Sequence, residues 1–559
     1  MRVEPVTRQL IDGGHSTPRG GIMPRPLEFN DTRARTYRKR LEVLAFRSDD
    51  AIVFRKPWGE QNLRGKGWVI VPLTDTGEAT SDIYGVDADV FARTYEPSLS
   101  LRPNHYRKKE TVRAYQPGDD FEIDTILPDG HVEVAAARAL SYDAWIVRSS
   151  SGEVYPVEDA EFRRTYVQIL ERADGYRTRT AAEHWAADGT PKRILALDGG
   201  GVRGILTLGY LERIESLLRV RHGGAAKFRL CHYFDLIAGT STGAIIAACL
   251  AKGMEVREVR SLYERLSGSV FRRSVFRWGL VRARYGARRL REYLEANFQN
   301  STMGSRSLQT GLLIVAKRLD TGSTWPMSNN PGNRFFTAKP GDDFLSNEDY
   351  LVREVVRAST AAPSFFASEH IVISREKERP HGEFVDGGMS PHNNPALLAL
   401  ELVVMRGFGA RWPLDPDKLM LVSVGTGAAQ PGASRSRFAF KHAVNALLSL
   451  MDDCAESVET MLQWLSSSPT ARHIDASMQD LNGDLLAERP LLHYLRYNVQ
   501  LESRWLQENL GVELTADELQ NLKKMDRPES MSALADLGAK GAARQIEDRH
   551  FPPDFDLGR

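Results

Sequence analysis

The chain has 559 residues, of which 42% are hydrophobic and 26% charged, and its formal net charge is +1. This length exceeds what one hydrophobic core supports and predicts roughly three to four domain-sized units of a soluble, globular protein. The balanced charge argues against a chain that binds nucleic acid or membranes along its whole length. The three cysteines, Cys231, Cys249 and Cys454, lack CxxC spacing, which favours a reducing cytoplasm over a disulfide framework or a zinc site.

Residues 1–35 are rich in proline and glycine and contain no apolar core of signal-peptide length. We expect a flexible N-terminal tail. The next two segments, 36–98 and 99–168, repeat each other with a period of 69 to 77 residues. The matching pairs are YGVDADVFARTY from Tyr84 and YPVEDAEFRRTY from Tyr155, WVIV from Trp68 and WIV from Trp145, and YRKR from Tyr37 and YRKK from Tyr106.

Alternating residues and short turns predict that each repeat is a small β-rich module. Two roles stay open for the pair, a structural or oligomerisation surface and a sensor for a ligand or partner. A polar stretch, 169–191, then predicts a linker.

From residue 192 the chain alternates short apolar runs with helical periodicity. The runs are ILALD (194–198), FDLIAG (234–239), GLLIVAK (311–317), EFVDGG (383–388) and LMLVSVG (419–425). This pattern predicts an α/β domain over 192–550, with a mainly parallel sheet between two layers of helices. The residues after Phe438 are expected to be mostly helical.

A glycine loop follows the first of these runs. Gly199, Gly201 and Gly204 match GxGxxG between a strand and a helix, the setting of a dinucleotide site. However, the next strand does not end in the acid that would hold a ribose hydroxyl. The alternative is that the backbone N–H groups of the loop form an oxyanion hole.

The second apolar run leads into GTSTG, in which Gly239, Ser241 and Gly243 match GxSxG. Between a strand and a helix this pattern is typical of a nucleophile elbow, where flanking glycines leave room for a strained serine. An ordinary turn remains an alternative, because short patterns arise by chance in long chains. GTSTG lies one βα unit after DGGGVRG, which favours the elbow. The N–H groups of Gly199, Gly200 and Gly201 would then face the oxyanion.

A basic stretch runs from Phe271 to Arg291 and carries eight arginines, four aromatic residues and no acid. An arginine-rich segment of this kind could lie on an anionic bilayer. It could equally bind an acidic protein or a phosphorylated ligand, or form a solvated helix face.

A serine nucleophile requires a base within hydrogen-bond reach. Among the histidines after Ser241, the candidates are His392, His442, His473 and His493, and none has a diagnostic setting. Asp386 instead ends an apolar strand and is followed by Gly387 and Gly388. A carboxylate in a site of low polarity can accept the serine proton directly.

In this order, DGGGVRG, GTSTG and DGG resemble the motifs of the patatin-like phospholipases. RASTAAPSFF (357–366) and VSVGTG (422–427) also resemble segments of that family, and the likeness does not extend to the first 185 residues. The resemblance implies a lipid acyl hydrolase with a Ser/Asp dyad. It makes Ser241 the nucleophile, Asp386 the base, and Gly199, Gly200, Gly201 and Arg203 the oxyanion loop.

The implied reaction is two-step acyl transfer on a phospholipid or another acyl-ester lipid, for which we expect no metal or other cofactor. A cytoplasmic protein that contacts membranes peripherally when active is expected, without a nucleic-acid polymer as partner. The resemblance also suggests a bacterial defence effector switched on by a ligand at the N-terminal module. A Ser/His/Asp esterase and a non-catalytic lipid- or nucleotide-binding scaffold remain the alternatives.

Overall fold

The computed structural model describes most of the chain after residue 24. The described ranges are 25–26, 29–31, 33–39, 42–56, 59–63, 65–73, 79–81, 83–97, 104–117, 121–126, 132–136, 144–149, 154–169, 176–224, 227–270, 279–363, 366–375, 381–428 and 439–558. The predicted tail lies outside them up to residue 24. The chain divides into two compact units, Met1–Lys39 with Glu110–Tyr166, and Arg40–Lys109 with Val167–Arg559.

The N-terminal residues form two copies of one series of elements, which confirms the predicted duplication. After β1 (Arg25–Pro26), the first copy contains β2 (Arg35–Lys39), β3 (Val43–Ser48), β4 (Ile52–Lys56), β5 (Gly59–Leu63), β6 (Gly67–Pro72), β7 (Tyr84–Asp87), α1 (Ala88–Thr94) and β8 (Tyr95–Pro97). The second contains β9 (His105–Lys108), β10 (Thr111–Tyr115), β11 (Phe121–Ile126), β12 (Val132–Ala136), β13 (Trp145–Arg148), β14 (Val154–Val157), α2 (Asp159–Thr165) and β15 (Tyr166–Ile169).

The two copies exchange their first strands. One five-stranded sheet has the order β7-β6-β3-β9-β8, and the other has the order β14-β13-β10-β2-β15. Thus β9, from the second copy, completes the sheet of the first, and β2 completes the sheet of the second. The sequence repeat predicted two similar units but not this exchange, because a repeat does not specify which copy a strand joins.

Each copy contains the same aromatic cluster. Trp68 stacks on Phe91 at 4.1 Å between ring centroids, and Trp145 stacks on Phe162 at the same distance. An exchanged strand supplies a further ring to each cluster: Tyr106 to the first and Tyr37 to the second, each 5.4 Å from the tryptophan. The aromatic residues that the two repeats share are therefore core residues.

The rest of the chain contains α3 (Ala181–Trp185), β16 (Lys192–Leu197), α4 (Gly204–Arg221), α5 (Leu230–Tyr233), β17 (Leu236–Thr240), α6 (Thr242–Ala251), α7 (Val256–Val270), α8 (Gly279–Phe298), β18 (Gly311–Arg318), β19 (Thr324–Ser328), α9 (Val352–Ser359), β20 (Glu369–Val372), β21 (His381–Asp386), α10 (Ala396–Val404), β22 (Leu419–Val424), α11 (Ala439–Leu465), β23 (Ser466–Ser467), β24 (Leu492–Tyr497), α12 (Ser503–Leu510), α13 (Ala516–Leu522) and α14 (Met531–Gln545).

These strands build one nine-stranded sheet in the order β20-β21-β18-β17-β16-β22-β24-β23, with β19 also paired to β18. The six strands from β18 to β23 in this order are parallel, whereas β19, β20 and β21 pair antiparallel. The prediction of a mainly parallel sheet is confirmed, with an antiparallel edge that the sequence did not indicate.

Helices cover both faces of this sheet. Leu195 and Leu197 of β16 belong to a core that includes residues of α4, α6 and α14, whereas Ile194 and Ala196 belong to a second core with residues of α10 and α11. Because alternate residues of a strand point to opposite faces, a strand between two helical layers must be apolar throughout. Among the described residues, no helix is both long and apolar enough to cross a membrane.

The predicted linker contributes to this core where the structure describes it. Trp185 is 4% exposed, and its indole N–H donates to Asn329 Oδ1 at 3.1 Å. The capping box of Thr180 and Glu183 begins α3 just before it. The linker's boundaries remain a prediction.

Candidate functional site

Ser241 lies on a sharp turn between β17 and α6. Its φ of 54° and ψ of −121° are a strained combination that non-glycine residues rarely adopt. A Cβ on Gly239 would overlap the carbonyl of Gly243, and a Cβ on Gly243 would overlap the carbonyl of Leu197. The two glycines are therefore needed for close backbone packing, and the turn has the geometry of a nucleophile elbow.

Asp386 is the hydrogen-bond partner of the Ser241 hydroxyl. Ser241 Oγ donates to Asp386 Oδ2 at 2.6 Å, and the N–H of Gly388 donates to Asp386 Oδ1 at 2.8 Å. The sheet brings the pair together. Thr240 pairs with Val315 of β18, and Asp386 pairs with the next residue, Ala316, on the other side of that strand.

The environment of Asp386 makes its carboxylate a stronger base. The side chain is only 6% exposed, and burial raises its pKa to about 6. The hydrogen bonds from Ser241 and Gly388 and the positive charge of Arg357 oppose this rise. The carboxylate is then mostly ionised at neutral pH while its proton affinity is higher than that of an exposed aspartate.

None of the predicted alternative bases contacts Ser241 among the described residues. The ring of His493 is hydrogen-bonded to the carbonyl of His550 at 2.8 Å, and His473 lies on the surface. The backbone carbonyl of His392 accepts a hydrogen bond from Thr240 Oγ1. Its buried Nδ1 has no hydrogen-bond partner in the part of the chain that the structure describes, and burial lowers the pKa of its ring. The side chain of His442 lies outside the described residues.

The glycine loop lies directly beside the elbow, since a Cβ on Gly199 would be 3.1 Å from Ser241 Cβ. Two of its N–H groups are already used: Gly199 donates to the Asn393 carbonyl and Gly200 to Thr242 Oγ1, both at 3.1 Å. Gly201, at φ 59°, has no acceptor for its N–H within the described part of the chain. Of the three predicted amides, the N–H of Gly201 is thus the one that the described residues leave unused.

The side chain of Arg203 faces the interior. It is 3% exposed, and its Nε has no hydrogen-bond partner among the described residues. Burial lowers its pKa, and the carboxylates of Asp452 and Asp198 oppose this by stabilising the cation. Its backbone N–H donates to the Gly200 carbonyl at 3.2 Å, which closes the loop as a turn.

The glycines of the loop are packed against protein atoms. A Cβ on Gly201 would overlap the Met525 carbonyl, and one on Gly204 would lie 2.6 Å from the Tyr263 hydroxyl. In a dinucleotide site the second glycine of the pattern, here Gly201, leaves room for a pyrophosphate to approach the backbone. Here that space is filled, which disfavours the nucleotide alternative.

Comparison with known proteins identifies the region that carries this site. Residues 195–400 match the model of the patatin-like phospholipase family. The match spans Gly199, Ser241 and Asp386. Residues 195–400 form a patatin-like phospholipase domain.

Three relatives show how far the likeness extends. A cGAMP-activated phospholipase of Escherichia coli (strain TW11681) is 30% identical over 248 residues, 43% of this chain and 64% of the relative. A cUMP-AMP-activated phospholipase of Escherichia coli is 35% identical over 212 residues, 37% of this chain and 58% of the relative. Patatin-like protein 3 of Arabidopsis thaliana is 29% identical over 290 residues, 46% of this chain and 64% of the relative. The chain thus spans less than two thirds of each relative's length.

Within the patatin-like phospholipase domain, residues of another segment also hold Ser241 and Asp386 in place. Ser359 Oγ accepts the Ser241 N–H at 2.9 Å and donates to the Val315 carbonyl at 2.6 Å. The Asp386 N–H donates to the Ala361 carbonyl at 3.1 Å. One short segment, within the RASTAAPSFF motif, therefore anchors the backbone of both residues, and that motif was the available signal.

Proposed function

We propose that this protein is a lipid acyl hydrolase that cleaves fatty acyl esters of phospholipids, with Ser241 as nucleophile and Asp386 as base. The observation that carries the proposal is the 2.6 Å hydrogen bond between Ser241 Oγ on the elbow and the buried Asp386 carboxylate. A serine at an elbow needs a base in direct contact, and Asp386 is the described group that meets this need.

In the first step, Ser241 Oγ attacks the ester carbonyl while Asp386 Oδ2 accepts the hydroxyl proton. The carbonyl oxygen becomes an oxyanion, for which the unused N–H of Gly201 is the proposed donor. The N–H of Thr242, at the first position of α6, is a second one, because the first amides of a helix have no partner within it. Collapse of the tetrahedral intermediate breaks the ester bond, and the proton of Asp386 passes to the departing alcohol.

In the second step, a water molecule attacks the acyl-enzyme and gives its proton to Asp386. The same donors stabilise the second oxyanion. Collapse releases the fatty acid, and the proton returns from Asp386 to Ser241 Oγ. The raised pKa of Asp386 suits this role, since the group must both accept and return a proton near neutral pH.

The test is fatty-acid release from vesicles of phosphatidylcholine and phosphatidylglycerol by wild type, Ser241→Ala, Asp386→Asn and His392→Ala. Release that is lost in the first two variants and retained in His392→Ala supports the dyad. A loss in His392→Ala as large as in Ser241→Ala would instead favour a Ser/His/Asp esterase. A wild type that binds vesicles but never releases fatty acid would favour a non-catalytic scaffold.

Peripheral membrane contact through the basic stretch 271–291 is a second part of the proposal, with a cytoplasmic location. Its support is the charge of the segment, of which residues 271–278 lie outside the described residues. At its end, Arg288 pairs with Glu292 at 2.7 Å and Arg291 with Glu369 at 2.9 Å. Glutamine at Arg272, Arg273 and Arg277 should weaken binding to anionic vesicles and leave hydrolysis of a water-soluble ester unchanged. Unchanged binding would contradict this part.

Activation of the hydrolase by a ligand is the third part of the proposal. Two relatives carry names that describe activation by cyclic dinucleotides. We place the activator site in the duplicated N-terminal module, which lies outside the family match. Addition of cyclic dinucleotides to the vesicle assay should raise fatty-acid release, and full activity without any ligand would contradict this control.

A further inference from the structure

The buried side chain of Arg496, on β24, binds the carboxylate of Asp198, the first residue of the DGGGVRG loop. Arg496 Nη1 donates to Asp198 Oδ1 at 3.0 Å, and Nη2 donates to Asp198 Oδ2 at 2.7 Å. The arginine is 9% exposed and the aspartate 4%. A two-pronged pair of this kind fixes both the position and the orientation of the carboxylate.

Arg496 is itself held from two other elements. Its Nη1 donates to Ser423 Oγ at 2.7 Å on β22, the strand that separates β24 from β16. Its Nε lies 3.4 Å from Glu459 Oε2 on α11, and Glu459 also pairs with Arg472 at 2.6 Å. The Arg496 guanidinium thus has little freedom to move, and its two hydrogen bonds restrict the Asp198 side chain in the same way.

Asp198 connects Arg496 to the glycine loop and to the elbow that carries Ser241. Its N–H donates to the Val424 carbonyl at 3.2 Å, and its own carbonyl lies against Gly243, where a Cβ would come within 2.7 Å. The side chain is therefore fixed by β24 while the backbone is fixed between β22 and the elbow. Gly201 follows only three residues later.

We propose that Arg496 is a positioning residue that, through Asp198, holds the glycine loop so that the Gly201 N–H meets the oxyanion. The inference rests on the proposed function, because it concerns the same acyl-transfer site. An oxyanion donor is effective when it is held in place before the reaction begins, so a looser loop lowers the rate more than it weakens substrate binding.

A second buried arginine–aspartate pair provides the control. Arg221 Nε lies 2.7 Å from Asp556 Oδ1, and its Nη2 donates to Asp556 Oδ2 at 3.1 Å. The arginine is 2% exposed and the aspartate 6%. This pair joins the end of α4 to the C-terminal residues, so its loss should destabilise the fold without touching the glycine loop.

The experiment compares Arg496→Lys with Arg221→Lys. Lysine keeps the charge of each side chain but cannot form the two-pronged pair. We measure kcat and KM on a water-soluble fatty acyl ester, the rate of covalent labelling of Ser241 by a fluorophosphonate, and the melting temperature. The phosphonate adduct is tetrahedral and places its phosphoryl oxygen, which carries a partial negative charge, where the oxyanion forms, so labelling reports on the loop independently of turnover.

We expect both variants to melt at a lower temperature, but only Arg496→Lys to lose about tenfold or more in kcat and in labelling rate, with KM changed less than about twofold. Equal kcat values in the two lysine variants overturn the positioning role. If Arg496→Lys does not fold, Ser423→Ala decides, with an expected fall in kcat of about threefold because one bond to the guanidinium is lost. An unchanged kcat in that variant also overturns the role. A wild type without hydrolysis or labelling overturns the proposed function itself and this inference with it.

Discussion

The backbone N–H of Ser241 donates a hydrogen bond of 2.9 Å to Oγ of Ser359. Ser241 has a positive φ, and Ser359 ties its amide to β18 through the Val315 carbonyl. The nucleophile is therefore held through its main chain as well as through the hydroxyl contact with Asp386.

Replacement of Ser359 with alanine should lower kcat by about tenfold with little change in KM, because the strained elbow loses the group that fixes its amide. Steady-state kinetics on a water-soluble fatty acyl ester measures this effect. Ser328→Ala is the control, since Ser328 is fully buried but its Oγ has no hydrogen-bond partner among the described residues. Equal kcat values for the two variants would contradict a role for Ser359.

The activity should depend on pH through Asp386. Its pKa is raised to about 6 by burial, and only the ionised carboxylate accepts the serine proton. We therefore expect kcat/KM to fall as the pH is lowered through about 6, with one proton taken up. Initial rates between pH 4.5 and 8 on a neutral ester test this. A profile that stays flat down to pH 4.5 would exclude Asp386 as the base.

The positive charge of Arg357 should affect the pH at which kcat/KM falls, because it lowers the pKa of Asp386. Arg357 is 2% exposed and lowers the pKa of Asp386 against the larger effect of burial. Arg357→Met should shift the midpoint of the kcat/KM profile to higher pH. Arg353→Met, on the same helix, should leave it in place, because Arg353 is hydrogen-bonded to Asn300 instead. A shift of equal size in both variants would contradict the assignment to Arg357.

Asp386→Asn should stabilise the fold while it removes activity. The folded state retains the Asp386 proton up to about pH 6, whereas the ordinary value is 3.8, so the folded state binds more protons between these values. The wild type's free energy of unfolding then falls as pH rises through this window, by at most about 3 kcal/mol. Asparagine has no such titration. In urea unfolding, Asp386→Asn should have a larger free energy of unfolding than the wild type at pH 7 but not at pH 4. An equal difference between the two proteins at both pH values would contradict this prediction.

Gly243→Ala should prevent the elbow from packing. A Cβ there overlaps the Leu197 carbonyl and lies 2.7 Å from the Asp198 carbonyl, and neither backbone group can move aside easily. We expect a loss of several kcal/mol in the free energy of unfolding or insoluble protein. Gly407→Ala is the control, because nothing lies within 4 Å of a Cβ at that position. A soluble, fully stable Gly243→Ala would show that the elbow is looser than described.

Much of the large domain could be predicted from local patterns. Continuous apolar runs such as 194–198 indicated buried strands of a parallel sheet, and GTSTG indicated a serine between a strand and a helix. These features depend on neighbouring residues, so their signal is contained in short windows.

Other features depend on contacts between distant residues. The pair of Arg496 and Asp198 joins positions 298 residues apart, and the antiparallel pairing of β21 places Asp386 beside β18 without a distinct sequence signal. Likewise, the use of the Gly199 and Gly200 amides by Asn393 and Thr242 could not be read from the glycines themselves. Spacing identifies which residues suit a task, but not which are already engaged.

The exchanged strands of the N-terminal copies have a consequence for biosynthesis. Arg38 of β2 pairs with Thr111 of β10, 73 residues further along the chain, so β2 leaves the ribosome long before its partner exists. Contacts of this separation form late and leave a strand edge exposed in the meantime. Deletion of either copy alone would remove the strand that now completes the sheet of the other, which then has only its own first strand to take that place.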